Sequence, residues 1–246
     1  QQRLPIRHDI LMGTNFLEII RQILRQGHDL LIKPAQNPGL IGMLFGSDDM
    51  HLLRLCPCPV WLTKPGEQPE YKCVLAAVDF DFDTPGAVQT GLNRHILELC
   101  SAFTLADFAA LHIVHVWDAP FEMTMRSWGH HRSDAEHYVE NEHKRHQQAL
   151  DRLRGELKAR VDEDVYTHLS PQFHLLRGAP ATAIPELAQR LNADLVVMGT
   201  LARTGIAGLF IGNTAETILE QLQCAVLAIK PPGFVTPVTL DAPPTP

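Results

Sequence analysis

Basic residues are in short supply in this chain: 21 Lys and Arg stand against 28 Asp and Glu, for a net charge of -7. They gather into no stripe, which argues against a nucleic-acid backbone as partner. Cysteine is also sparse, with five in 246 residues, too few for a disulfide framework. Cys56 and Cys58 flank a proline instead of forming a CxxC pair, which weakens a metal or redox reading. No apolar run is long enough to cross a bilayer, and no charged-then-apolar signal segment opens the chain. A soluble, reducing, cytoplasmic setting is the expectation. The chain opens on Gln1 without a methionine, so its natural N-terminus is expected to lie further upstream.

What the chain does have is self-similarity. At one constant spacing Gly13 falls on Gly178, Ile19 on Ile184, Asp29 on Asp194 and Leu30 on Leu195. One extra residue in the later copy shifts the spacing; Gly39 then meets Gly205, Gly42 meets Gly208 and Gly46 meets Gly212. Leu53, Cys58, Val60 and Lys64 follow onto Leu219, Cys224, Val226 and Lys230. Matched glycines in matched loops indicate duplication, because each marks a backbone requirement.

The later copy alternates strand and helix. Strands are expected at Lys72–Asp79, Ala109–Trp117, Gln172–Arg177, Leu195–Gly199 and Ala225–Lys230, as apolar runs suited to burial on both faces. Helices are expected over about 84–102, 134–160, 181–191 and 214–222, with 119–133 an irregular loop. This alternation implies an α/β fold with a doubly wound, parallel, five-stranded sheet of Rossmann type, in two tandem copies. Residues 1–66 form an incomplete copy, from the third strand onward. Residues 70–232 form a complete one, and 233–246 a Pro-rich tail. A half sheet has an open edge and little core, so residues 1–64 either follow missing upstream sequence, the favoured reading, or complete themselves against the second copy.

Chemistry concentrates between Val196 and Lys230. A strand ends at Met198, a loop with four glycines follows, and a helix opens at Asn213. Glycines let backbone amides approach an anion, and a helix N-terminus adds unpaired N–H groups and a positive dipole end. Asn213 is the expected N-cap, with Glu216 completing a capping box. No GxxxxGK[ST] motif occurs, so a P-loop lysine is absent.

These residues resemble the universal stress protein family, whose G-x2-G-x9-G-[S/T] motif follows its fourth strand. Gly199 opens that motif, Ala202 stands where the second glycine belongs, Gly212 closes it, and Asn213-Thr214 follow. The layout of the two copies resembles the tandem E-type branch, over about residues 8–239. The resemblance implies an adenine nucleotide, ATP or AMP, with magnesium accompanying ATP, in the second copy only. It places Ala77, Asp79, Val116 and Met198 beside Gly199, Ala202, Gly212, Asn213 and Thr214, with Asp79 meeting the adenosine. It further implies stress-response binding and either homodimers or intramolecular pairing of the two copies. A methyl at Ala202 costs affinity if that position needs positive φ. In the first copy Lys33 and Pro34 replace Met198 and Gly199, and proline offers no N–H, so that half is read as a pairing partner. Alternatives are a nucleotide-free scaffold, a carrier of another small ligand, and slow ATP hydrolysis, for which no catalytic base stands out.

Bland readings stand beside these. The glycines could serve an ordinary strand-to-helix turn, and Asp79 could cap its own turn. Among the histidines at 130, 131, 137, 143 and 146, only His143 and His146 share a helix face at metal-ligand spacing. Solvation is the default for them, and zinc is not expected. His112 and His115 point to opposite faces of their strand, where core packing is expected.

Overall fold

The computed structural model describes residues 5–36, 44–66, 70–82, 87–127, 132–200 and 212–240. In chain order the elements are α1 (Asn15–Gln26), β1 (Leu31–Pro34), α2 (Ser47–Leu55), β2 (Val60–Thr63), β3 (Cys73–Ala77), α3 (Ala87–Asp107), β4 (Ala110–Trp117) and α4 (Glu122–Ser127). Then follow α5 (Arg132–Arg160), α6 (Glu163–Leu169), β5 (Gln172–Arg177), α7 (Pro180–Leu191), β6 (Leu195–Gly199), α8 (Asn213–Gln221) and β7 (Ala225–Ile229). Among the described residues, no helix is long and apolar enough to cross a membrane.

The strands form one seven-stranded sheet in the order β1-β2-β7-β6-β3-β4-β5. Strands β3 to β7 are mutually parallel. They are apolar almost throughout, CVLAA in β3 and AVLAI in β7, because parallel strands are covered on both faces. One face packs Leu75, Val114, Val196 and Val226 against α1, α2, α7 and α8. The other packs Val74, Ile113, Val197 and Leu227 against α3 and α5. Helix α5 is polar over most of its 29 residues and commits only a narrow stripe, Leu150, Leu153 and Leu157, to that core, as helical spacing dictates.

The sheet has seven strands, not the five expected of one copy, because β2 pairs antiparallel with β7. The register is centred on Trp61 opposite Leu227, flanked by Val60 opposite Ala228 and Leu62 opposite Val226. Those flanking residues exchange places under the sequence match of Val60 with Val226. The β2 edge is therefore closed by β7, and Ile20, Ile23, Leu52 and Leu53 share a core with Ile184 and Ile218. The element order α1-β1-α2-β2 parallels α7-β6-α8-β7, and α1 and α7 end on left-handed residues, Gly27 and Asn192.

Two helices go beyond the sequence expectation. The stretch 119–133 holds the short α4, tied through Glu122 to Arg126 and Arg177, and α6 follows α5. In α7, Pro185 has no N–H for the Ala181 carbonyl four residues back. The Gln221 side chain of α8 donates to that carbonyl at 3.1 Å. Up to residue 240 the tail lies in no helix or strand; Val238 packs on the core and Thr239 accepts a hydrogen bond from Arg21.

Asp49 anchors the first half. Its buried carboxylate accepts from the backbone N–H of Gln36 at 2.7 Å and of Gly46 at 3.0 Å, and from Lys33 Nζ at 2.7 Å. Asp49→Ala removes the acceptor of two backbone N–H groups and leaves Lys33 Nζ only the Pro34 carbonyl, at 3.0 Å; it should destabilise the protein by about 3 kcal/mol, read as a lower urea midpoint with an unchanged slope.

Candidate functional site

Strand β3 lies between β4 and β6; the chain runs from β3 through α3 to β4 on one side and from β6 through α8 to β7 on the other. This is the topological switch point, where open α/β sheets leave a crevice beyond the strand carboxyl ends. Ala77 ends β3 opposite Val114 on one side and Met198 on the other. Ala77, Val116 and Met198 join one apolar cluster with Ala215 of α8, so their side chains share the α7–α8 face.

Asp79 follows two residues after Ala77. Buried Asn93 of α3 holds its backbone from both sides: the Asp79 N–H donates to Asn93 Oδ1 at 3.2 Å, and Asn93 Nδ2 donates to the Asp79 carbonyl at 2.6 Å. The Asp79 carboxylate accepts from the Phe80 N–H at 2.9 Å, so the local turn-capping role is present. Asn93 carries no motif signal and only its position on α3 reveals it.

Gly199 ends β6. A Cβ there would meet Leu92 Cδ2 at 2.7 Å, so this glycine already has a packing reason to be small. Thr200 is fully buried, and its carbonyl accepts from the Gly212 N–H at 3.0 Å. Ala202, Gly205 and Gly208 lie outside the described residues.

At the start of α8 the structure corrects the sequence reading. Gly212 is the N-cap, with φ -65° and ψ 137°, and no side chain caps the helix. Asn213 is the first helical residue, and it and Thr214 are exposed. Glu216 does not reach back to complete a capping box; its carboxylate pairs with Arg54 of α2. The ion pair across the two halves wins because a glycine cap offers no side chain for the reciprocal bond.

Buried Lys230 was missed as a functional-site neighbour, since a lysine ending a strand reads as surface. Its Nζ donates to the Leu53 carbonyl of α2 and, at 2.7 Å, to Thr200 Oγ1. It thus links the first half to the residue that precedes the glycine loop.

His146 is buried, with Nδ1 at 2.7 Å from His115 Nε2. His143 lies exposed, and both rings pack on Trp117, with centroid distances of 5.3 and 5.8 Å. His112 and His115 do face opposite sides of β4; His112 Nδ1 lies 2.9 Å from His174 Nε2. Burial holds His112 and His174 below the ordinary histidine range. Among the described residues no group of three or more His, Cys, Asp or Glu could hold a metal; His130 and His131 lie outside them. A separate cavity of about 550 Å³ opens beside the switch point and is lined by Phe80, Phe82, Asn93, Arg145 and Arg152. Arg145 stacks on Phe82 there.

Two outcomes follow from this geometry. Gly199→Ala forces Leu92 to move and should cost about 1–2 kcal/mol, measured by urea unfolding; unchanged stability would mean that the glycine is not required for packing. Burial lowers Lys230 from 10.5 to about 7. Between those values the unfolded chain holds the extra proton, so the Lys230 contribution makes stability rise with pH and the burial cost is full below about 7. From pH 7 to 9 wild type should gain roughly 2 kcal/mol relative to Lys230→Met, read from paired urea curves.

Residues 70–230 match the universal stress protein family model. Universal stress protein E of Escherichia coli K12 is 34% identical over 230 residues, covering 92% of this chain and 68% of that one. Its counterpart in Photorhabdus laumondii is 31% identical over 224 residues, covering 89% and 67%. A crystal structure from Pseudomonas aeruginosa UCBPP-PA14, assigned to the universal stress proteins, superimposes with a TM-score of 0.67 at 29% identity, over 89% of this chain and 69% of that one. The motif of Gly199 and Gly212, set at the switch point of a mostly parallel sheet, and the match over most of the chain lead to one conclusion: this chain belongs to the universal stress protein family.

Proposed function

We propose that this stress protein binds an adenine nucleotide, ATP or AMP, at the carboxyl ends of β3 and β6, and acts through interactions that depend on binding. The observation that carries the reading is convergence. Candidate residues from separate segments, Ala77 and Asp79, Val116, Met198 and Gly199, and Gly212 to Thr214, meet at one end of the sheet, with the apolar ones in a single cluster. Ala77, Val116 and Met198 suit the flat, apolar face of a base. The Asp79 carboxylate suits the donors of adenosine. The N–H groups opening α8 suit phosphates, with the helix dipole in their favour. Glu216 would repel a phosphate in that first turn, but its pairing with Arg54 offsets the charge. Magnesium would arrive with ATP, held mainly by phosphates and water.

A second reading, a nucleotide-free scaffold, draws on the β2–β7 pairing and the core shared across it. Under both readings residues 70–232 act as the complete unit and residues 1–66 as its intramolecular pairing partner. Isothermal titration distinguishes them. ATP with magnesium, and AMP, should each release or absorb heat with wild type, and Gly212→Val should bind at least tenfold more weakly while its circular dichroism is unchanged. No heat from either nucleotide with folded wild type would overturn the nucleotide reading in favour of the scaffold.

A further inference from the structure

All five cysteines are free and buried, yet two of them differ from the rest. Cys56 Sγ and Cys58 Sγ lie 3.5 Å apart in direct contact across Pro57. Cys56 caps the C-terminus of α2, its N–H bonded to the Leu52 carbonyl at 3.0 Å. Cys58 lies just before β2, so both sulfurs are fixed by secondary structure and the intervening proline is stiff. Cys56 is fully enclosed, whereas Cys58 keeps 7% of its surface exposed.

We propose that Cys56 and Cys58 are a redox-active dithiol that a hydroperoxide closes to a disulfide. The arrangement supplies a nucleophile on the less enclosed of the two residues and a resolving thiol already in contact with it. The Cys58 thiolate attacks one peroxide oxygen; the S–O bond forms, the O–O bond breaks, and the leaving oxygen departs as water or an alcohol after taking a proton. The Cys56 sulfur then attacks the sulfur of the resulting sulfenic acid. The S–S bond forms, the S–O bond breaks, and the hydroxyl leaves as water with the Cys56 proton. Two thiols lose two electrons in total, and the peroxide gains them. The sulfurs need to approach by only about 1.5 Å to reach bonding distance.

The electrostatics divide the roles in the same way. Hydrogen bonding from Cys56 pulls the Cys58 thiol below its ordinary value, while the same contact and burial push Cys56 up. A thiolate is the reactive form. Burial pushes Cys73 up to about 11 and Cys224 up to about 12, and it raises fully enclosed Cys100 as well. Those three are expected to stay inert and serve as internal controls.

The test is hydrogen peroxide treatment of the folded chain, then quenching, denaturation and thiol counting. Wild type should lose two of its five thiols, and the tryptic peptide that begins at Leu55 should be lighter by two hydrogens and resist alkylation until reduced. In Cys56→Ser the sulfenic acid has no resolving thiol, so Cys58 should be trapped by dimedone. Five thiols remaining in wild type, a disulfide mapped to Cys73 and Cys224, or Cys58 accumulating as sulfinic acid would each overturn the proposal. Because the peptide mapping uses wild type, the outcome holds even where a variant folds poorly.

Discussion

Everything in this molecule hangs on β3, the middle one of the five parallel strands β7-β6-β3-β4-β5, being parallel to a neighbour on each side. Parallel pairing requires a crossover helix for every strand, and the crossovers must cover both faces of the sheet. That requirement makes β3, β6 and β7 apolar throughout. The connection after β3 runs to β4 and the connection after β6 runs the other way to β7, so the carboxyl ends of β3 and β6 are left beside each other. Asp79 and Gly199 gain their proximity from this alone, since more than a hundred residues separate them in the chain.

The first half is attached by a different logic. Its strands extend the same sheet, but through an antiparallel pairing of β2 with β7, which needs no crossover. Two polar contacts reinforce that junction, the Arg54–Glu216 ion pair and the Lys230 ammonium on the Leu53 carbonyl. Burying an ammonium costs energy that its two acceptors only partly return. The location of that cost, against Thr200 at the entrance of the glycine loop, ties the first half to the candidate site.

The strands were legible because period and composition decide them: Gln172–Arg177 and Leu195–Gly199 agree with β5 and β6 residue for residue. The family motif placed the loop ends at Gly199 and Gly212, and the repeat supported the second through Gly46. Helices α4 and α6 were not legible, since six or seven residues carry too little periodicity and α4 depends on Glu122 meeting Arg177 from a distant strand. The N-cap was misplaced for a related reason. Asn213 has the better capping side chain, but Glu216 found a partner in Arg54 that only the tertiary fold supplies. The His115–His146 pair, Asn93 beneath Asp79 and the burial of Lys230 are contacts between distant segments, and a single sequence carries no trace of them. The joining of the halves through β2 and β7 was one of two options the sequence left open, and an unpaired strand edge was the physical reason to consider it.

The central claim is the location of the ligand: at the switch point, on the sheet face covered by α7 and α8. Amide chemical shifts during a titration with AMP address it most directly. The account predicts that the largest changes cluster at residues 77–79, 116, 198–200 and 212–214. Changes centred instead on Phe82, Arg145 and Arg152, which line the neighbouring cavity, would contradict it.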